Sequence, residues 1–563
     1  MTVAEQFIRL KTRRKRVDNP LTHGVKEKNA TMKKFKRLSA LIECSSGITP
    51  KPETVKKYIK ILSGMGYDKV YLGMADAYKI KEEPYFGYKR GGYTVEQLKD
   101  MDGYAKNLGV ELVSQIQTLS HLHFLSKFPE YQGIFDTDNV VLVGCDRVYE
   151  LIENMIKTVS EGISSRCIHL GLDEAFGLGT GEYLKKFGKA DKKELIKRHL
   201  ERVFAILDKY GYNAPEMWGD MITEKDETSV SANDIKNFLP KNSRIFVWNY
   251  EEKDEKALSD MYFEAKNYCD NIGYAGAVWK YIGFGPNNKF SISRLIPQMR
   301  AMEKCNADEF MVTLWADRIS PCSNYAALPS LFAVAEFNEG VYDGTDEKTL
   351  DKEKFLRLTG VNYDDMFALD YIDNPLKTDS EYRSNSSFWI FYTDLLLGNF
   401  DAFAPDNAGE YYAALAERYA KSTGGEFSSV FKTSESLMRT LEIKVSLPRK
   451  IRAAYLGKDK KKAEEAIGEL AELKKRTAEF IKVFEEYYAG DNQPFGIEVH
   501  QLYMNGQIAR IEYATERLGA FIESGEIIEE LEGGILPLNY YPPVTLDCSC
   551  MTDFRMLLSY CLQ

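Results

Sequence analysis

Eight short apolar runs rich in β-formers recur between residues 37 and 318, each followed by a loop and a stretch with helical spacing. The runs are Leu38–Cys44, Val70–Met74, Glu111–Ile116, Cys167–Leu172, Glu216–Trp218, Arg244–Trp248, Gly273–Trp279 and Glu309–Leu314. Between them the apolar period changes from 2 to 3.6. In 94–109, Thr94 and Gln97 make a capping box, Val95, Leu98, Met101, Ala105 and Leu108 share one face, and Gly109 stops the helix. Leu151, Ile152, Met155, Ile156 and Val159 repeat that pattern before the fourth run. Eight such units predict a (β/α)8 TIM barrel. The alternative is a doubly wound open sheet, but no Gly-rich dinucleotide fingerprint follows the first run. Gly177-Leu178-Gly179-Thr180-Gly181 follows the wrong run, lacks that spacing, and reads as a flexible active-site loop.

After about residue 340 strand-like runs give way to amphipathic helices, as in 461–488 and 500–525. A chain of 563 residues also exceeds one ordinary core. The expected division is an N-terminal segment (1–36), a catalytic barrel (37–340) and an α-helical C-terminal domain (341–563). Three roles are open to the C-terminal helices: packing under the barrel, pairing two subunits as a homodimer, or walling the pocket of a neighbouring chain. A net charge of -10 argues against nucleic acid or an anionic membrane as partner. The basic run Lys11-Thr12-Arg13-Arg14-Lys15-Arg16 reads as a solvated segment. The first residues hold no apolar stretch of signal-peptide length, and no later segment offers a membrane span. The nine cysteines are scattered singly apart from Cys548-Ser549-Cys550. That suits a reducing, cytoplasmic setting. No His lies near that pair to complete a metal site with Cys561.

In a barrel of this kind chemistry collects at the C-terminal strand ends. Trp218, Trp248, Trp279 and Trp315, four of the five tryptophans, lie at or near the ends of runs five to eight. Tyr250 and Tyr281 stand two residues beyond two of them, on the same side. The expectation is an aromatic cage stacked on the apolar face of a sugar. The acids obey the same rule: Asp76 after run two, Asp173-Glu174 after run four, Asp220 after run five and Asp317 after run eight, with His121 after run three. For Asp76 and Asp220, a rim salt bridge or a helix N-cap explains the residue as well as chemistry does. Six His without paired spacing give no catalytic zinc, and neither metal nor cofactor is expected. Adjacent carboxylates at the mouth of a buried strand fit a glycosidase. Burial and a neighbouring negative charge raise the pKa of the acid that protonates the leaving oxygen.

These residues also carry a resemblance. His169-Leu170-Gly171-Leu172-Asp173-Glu174 resembles the His-x-Gly-x-Asp-Glu signature of glycoside hydrolase family 20, the β-N-acetylhexosaminidases. The likeness is to the bacterial exo-β-D-N-acetylglucosaminidase branch with a C-terminal helical domain. The stretches EPYFGYKRG (83–91), IQTLSHL (116–122), MWGDM (217–221), WKYIGFGPNN (279–288) and PFGIEV (494–499) extend it from about residue 37 to 530. The resemblance implies substrate-assisted retaining hydrolysis of terminal N-acetylhexosamine. Glu174 is then the general acid and base, and Asp173 orients the 2-acetamido group and stabilises an oxazolinium ion. Tyr250 is the candidate to hold the acetamido oxygen, and His121, Trp218, Trp248, Trp279, Tyr281, Trp315 and Asp317 are substrate-binding candidates.

Two stretches depart from the branch. Its first strand usually reads like Asp-Cys-Ser-Arg, and here it is Glu43-Cys44-Ser45-Ser46. Its eighth usually reads Trp-Gly-Asp-Asn-Gly-x-Glu, and here it is Trp315-Ala316-Asp317-Arg318-Ile319-Ser320-Pro321. The resemblance implies that the first-strand Arg and the eighth-strand Glu hold hydroxyls of the terminal sugar, and a lost charged hydrogen bond to a hydroxyl costs about 1.5–3 kcal/mol. The two losses therefore imply altered sugar-edge specificity, for GalNAc or a substituted GlcNAc. Arg318 either restores a contact, selects an anionic substituent, or forms a rim salt bridge with Glu43. The rivals are a non-catalytic amino-sugar-binding barrel and a β-glycosidase using a protein nucleophile, for which Asp317 is the candidate.

Overall fold

The computed structural model describes residues 33–224, 228–317, 319–373, 384–398, 401 and 407–533. Eight parallel strands close into a barrel in chain order. They are β1 Arg37–Glu43, β2 Lys69–Gly73, β3 Glu111–Gln115, β4 Cys167–His169, β5 Ala214–Trp218, β6 Arg244–Trp248, β7 Asn271–Ala277 and β8 Glu309–Leu314. Closure is direct, with Arg37 of β1 paired to Glu309 of β8. The open-sheet alternative is thereby excluded. One main helix follows each strand: α1 Pro52–Met65, α2 Val95–Asn107, α3 Asp146–Gly162, α4 Lys192–Lys209, α5 Ala232–Phe238, α6 Glu255–Ala265, α7 Asn288–Lys304 and α8 Leu328–Asn338.

Local chemistry sets these elements. The α2 capping box is present, with Gln97 N donating to Thr94 Oγ1 at 3.2 Å and Thr94 N to Gln97 Oε1 at 2.9 Å. In α3 the five apolar side chains of the sequence pattern are all buried. Each contributes about 1.5–3 kcal/mol of transfer free energy against the barrel wall. The fourth run departs from expectation. β4 ends at His169, three residues early, because Gly171 and Leu172 turn left-handed at φ 75° and 80°. β7 likewise ends at Ala277, two residues short of Trp279.

The barrel interior has two layers. Leu41, Tyr71, Val113, Trp218, Phe246, Ala275 and Met311 form an apolar plug that Trp248 and Trp315 cap. Towards the strand starts lies a buried charge cluster. Lys69 Nζ sits 2.9 Å from Glu216 Oε1 and 3.6 Å from Glu309 Oε1, and Arg244 Nη1 sits 3.4 Å from Glu309 Oε2. Tyr71 Oη lies 2.6 Å from Glu216 Oε2 and 2.9 Å from Glu309 Oε1, and its single O–H serves one of them at a time. Two cations and two carboxylates thus satisfy one another away from water.

After the barrel the longer helices are α9 Ala408–Lys421, α10 Ser428–Lys444, α11 Leu447–Leu456, α12 Lys460–Asp491 and α13 Ile497–Ser524. They meet the barrel beside its mouth rather than beneath it, at loops after β1, β7 and β8. Asn492 bridges to Pro50, Phe480 packs on Phe284 at 5.7 Å, and Phe427 packs on Tyr325 at 4.7 Å. Among the described residues no helix is long and apolar enough to cross a membrane. The basic run at 11–16 and the cysteines at 548, 550 and 561 lie outside the described residues.

Candidate active site

A cavity of about 600 Å³ opens at the C-terminal strand ends. Every strand supplies part of its wall. Glu43, Ser45 and Ser46 follow β1, and Asp76 and Arg90 follow β2. Gln117, His121 and Phe124 follow β3, and Asp173 and Glu174 follow β4. Trp218 closes β5, Trp248 and Tyr250 lie on β6 and after it, Tyr281 follows β7, and Trp315 and Asp317 follow β8. The cage expected from the sequence therefore has three tryptophans in its lining, not four. Trp279 stands behind it, stacked on Tyr281 at 4.9 Å and edge-on to Phe290 at 5.7 Å, its Nε1 donating to Tyr250 O at 3.3 Å. Trp248 stacks on Tyr250 at 5.2 Å, and Trp315 Nε1 donates to Tyr250 Oη at 3.0 Å. Tyr250 is thus held in the cavity wall by Trp248 and Trp315. Arg318 lies outside the described residues.

The turn after β4 delivers the two acids by backbone strain. Gly171 at φ 75°, Leu172 at 80° and Glu174 at 54° are all left-handed. Two of them carry side chains, a cost of about 1–3 kcal/mol each that surrounding contacts must offset. A Cβ on Gly171 would collide with Gln117 Oε1 and come within 2.9 Å of Ile116 O. Asp220, at the start of a short helix after β5, accepts the Glu174 amide at 2.8 Å, and Ser120 Oγ donates to Asp173 O. Buried His169 packs against Trp218 at 4.5 Å, and its Nδ1 accepts the Gly171 amide at 3.2 Å. The motif's histidine therefore shapes the turn from below.

Charge and burial act on the groups around this turn. Burial and the Asp173 charge raise the Glu174 pKa, while His121 pulls it back. Asp173 Oδ1 is buried without a hydrogen-bond partner, and Oδ2 lies 3.3 Å from His121 Nε2. Burial opposes charge on His121. The Asp173 hydrogen bond and the charges of Asp173, Glu174 and Asp317 outweigh it and push the pKa up to about 9. Burial and the charges of Glu43 and Glu174 push Asp317 well above the ordinary carboxylate range, against Lys280 and His121. Burial also lifts Asp76 and Asp220 to about 6. Glu43 lines the cavity with both oxygens engaged: Ser45 and Ser46 hydroxyls donate to Oε1, and Ala316 N donates to Oε2 at 2.5 Å.

The Gly177–Gly181 loop does not behave as the sequence suggested. The Asp136 carboxylate accepts Gly179 N at 2.5 Å, Gly181 N at 3.1 Å and Tyr183 N at 2.7 Å, and none of 177–181 lines the cavity. It is a tied turn, and a Cβ on Gly181 would collide with the Asp136 carbonyl. Arg90 and Gln117 were not among the sequence candidates. Both had a signal, since Arg90 sits in the EPYFGYKRG stretch and Gln117 in IQTLSHL two residues past β3, but neither is an acid or a tryptophan. Among the described residues no group of three or more His, Cys, Asp or Glu is placed to hold a metal ion.

Comparisons with known proteins agree with this arrangement. Residues 53–265 match the family model described as glycosyl hydrolase family 20, catalytic domain, and residues 364–548 match the glycoside hydrolase 20C C-terminal domain. Hexosaminidase D of Bos taurus is 23% identical over 217 residues, 36% of this chain and 60% of that protein. A probable beta-hexosaminidase of Arthroderma benhamiae is 23% identical over 185 residues, 29% of each. The chain thus spans about 60% and 29% of those two relatives' lengths. A beta-N-acetylhexosaminidase structure from Bacteroides fragilis aligns at 20% identity with a TM-score of 0.45, covering 58% of this chain and 71% of that one.

Proposed function

The chain belongs to glycoside hydrolase family 20 through its catalytic and C-terminal domains, and from that premise we propose that it is a retaining exo-β-N-acetylhexosaminidase working by substrate assistance. One observation carries the reading: neighbouring carboxyls on a strained turn at the rim of an aromatic cage, with one Asp173 oxygen buried and unpartnered. Glu174, its pKa raised, donates a proton to the leaving oxygen. Asp173 presents its unpartnered Oδ1 to the N–H of the substrate's 2-acetamido group. Tyr250 Oη, fixed by Trp315, donates to the acetamido oxygen as that oxygen attacks the anomeric carbon. The glycosidic bond breaks as the new C–O bond closes an oxazolinium ring, and Asp173 balances its positive charge. Glu174, now a carboxylate, takes a proton from the water that opens the ring. Trp218, Trp248 and Trp315 shield the intermediate from bulk solvent.

The protein-nucleophile rival needs a second ionised carboxylate facing Glu174. Asp317 is pushed towards its neutral form by Glu43 and Glu174, which disfavours that role. A non-catalytic sugar binder has no use for adjacent acids held on a strained turn. A thiazoline mimic of the oxazolinium ion tests all three. The assisted enzyme binds it tightly, Asp173→Asn slows every substrate, and Glu174→Ala slows most those with poor leaving groups. Equal turnover of glycosides with and without the 2-acetamido group would sink the proposal. For the sugar itself we expect altered edge specificity, towards GalNAc or a substituted GlcNAc. A panel of GlcNAc, GalNAc and sulfated aryl glycosides decides this, and preference for plain GlcNAc with a silent Arg318→Ala would rule it out.

A further inference from the structure

Arg90 is the one Lys or Arg among the described residues that line the cavity, beside His121 and His123. His121 is committed to the acid pair, 3.3 Å from Asp173 and 3.6 Å from Glu174. Arg90 stands elsewhere. In an eight-stranded closed barrel β1 and β2 lie across from β5 and β6, so Arg90 faces the Trp218 and Trp248 wall from the opposite side. Its guanidinium crosses from the β2 loop over the end of β1. Nη2 donates to Ser45 O at 2.9 Å, and Nε pairs with Asp76. The Phe124 ring lies beneath it, 5.4 Å from the guanidinium carbon.

The loop that carries Arg90 is fixed. Gly87 at φ 64°, Lys89 at 59° and Gly91 at 79° curl it back, and a Cβ on Gly87 would collide with Asp76 O. Thr49 Oγ1 donates to Arg90 O at 2.9 Å. A guanidinium carries five N–H groups. The contacts to Asp76 and Ser45 use two, and the side chain is 26% exposed into the cavity. Beside it Asp76 is 1% exposed, and its Oδ1 has no hydrogen-bond partner. A fixed donor and a fixed acceptor thus stand side by side on one wall. The Ser46 hydroxyl is turned away onto Glu43, so β1 brings no competing group forward.

Resting on the proposed N-acetylhexosaminidase reading, we propose that Arg90 and Asp76 form the subsite that reads the vicinal hydroxyls on carbons 3 and 4 of the terminal sugar. With the anomeric carbon beside Glu174 and the acetamido group between Asp173 and Tyr250, those carbons lie on the far side of the ring, towards β1 and β2. One hydroxyl accepts from the Arg90 guanidinium, and its neighbour donates to Asp76. The bidentate pair suits a diol and cannot be met by a single hydroxyl. Arg90 therefore supplies the charged donor that position 46 lacks, from a different loop.

The test is a cycle between enzyme and substrate variants, using 4-nitrophenyl N-acetyl-β-glucosaminide and its 3-deoxy and 4-deoxy analogues. The unaltered enzyme loses about 10- to 100-fold in kcat/KM when the hydroxyl facing Arg90 is removed. Arg90→Met shows that loss with the parent substrate and no further loss with the analogue. Arg90→Lys falls between, since an ammonium keeps the charge without the fork. An Arg90 that merely clamps Asp76 to β1 would leave the deoxy penalty unchanged in Arg90→Met, and that result overturns the proposal. Should Arg90→Met fail to fold, Asp76→Ala serves instead, because Asn would keep an acceptor oxygen there: Asp76→Ala erases the penalty at the other hydroxyl if the subsite is real and keeps it if not. Failure of the hydrolase reading looks different, because the unaltered enzyme then turns over no N-acetylhexosaminide. In that event calorimetry with methyl N-acetyl-β-glucosaminide and its 4-deoxy analogue still decides the subsite by the same criterion.

Discussion

His121 sits between two carboxylates at the mouth of a barrel, a place where an imidazole gains more from its neighbours than burial takes away. Its folded pKa of about 9 stands above the ordinary 6.5. A raised folded pKa means stabilisation that is complete below the unfolded value and fades as pH rises through the folded one. We therefore expect His121→Gln to lower the melting temperature clearly at about pH 6 and hardly at all at about pH 10. Thermal melts of both proteins at the two pH values check this, and an equal drop at both would mean that His121 acts by packing alone. Gly171 gives a second expectation at this scale. A methyl group there meets Gln117 and the Ile116 carbonyl at φ 75°, so Gly171→Ala must unbend the turn that aims Asp173 and Glu174. Destabilisation of about 1–3 kcal/mol should accompany a loss of kcat larger than the change in KM, read by denaturant melts and steady-state kinetics.

At the scale of elements the sequence was legible where physics is local. The 2-to-3.6 switch in apolar period located all eight strands, and Thr94 with Gln97 marked a helix start that the structure places at Val95. Adjacency at the end of the fourth run, with the His-x-Gly-x-Asp-Glu likeness, singled out Asp173-Glu174. What escaped was set by distant partners. β4 ends early because His169, Gln117 and Asp220 hold the turn after it, and 177–181 is tied because Asp136 reaches it from more than forty positions away. The charge cluster inside the barrel is of the same kind, since Lys69, Glu216, Arg244 and Glu309 open or interrupt four separate runs. Removing Lys69 leaves two buried carboxylates to one cation, Arg244, so Lys69→Met should cost about 3–5 kcal/mol. Adding Glu216→Gln should recover part of that loss, because the charge left behind is removed. A double-mutant cycle by chemical denaturation measures the coupling, and strict additivity would mean that water reaches the cluster.

Across the whole molecule, the C-terminal helices act on the cavity through the loop after β1. Lys51 N and Thr54 Oγ1 donate to Asp491 O at 2.9 and 2.7 Å, and Gln493 N donates to Thr49 O at 2.8 Å. Tyr488 Oη bonds Phe495 O at 2.5 Å and reaches Gly47 O at 3.4 Å. Gly496 closes this contact: at φ 90° its backbone lies so near Gly47 that a Cβ would collide with the Gly47 carbonyl. Gly47 and its neighbours Ser45 and Ser46 line the cavity, and Ser45 O holds Arg90. A methyl group at 496 thus displaces the sugar-edge wall without touching Asp173, Glu174 or Tyr250. Gly496→Ala should raise KM by about tenfold, the weight of one charged hydrogen bond, with kcat changed much less. The same substitution should lower the melting temperature without splitting the transition, because Phe284 and Tyr325 of the barrel share one core with Phe480 and Phe427 of the helices. Kinetics and calorimetry on one variant separate the outcomes. A second thermal transition would show that the helices fold apart from the barrel, and an unchanged KM would show that their grip on the β1 loop does not reach the substrate.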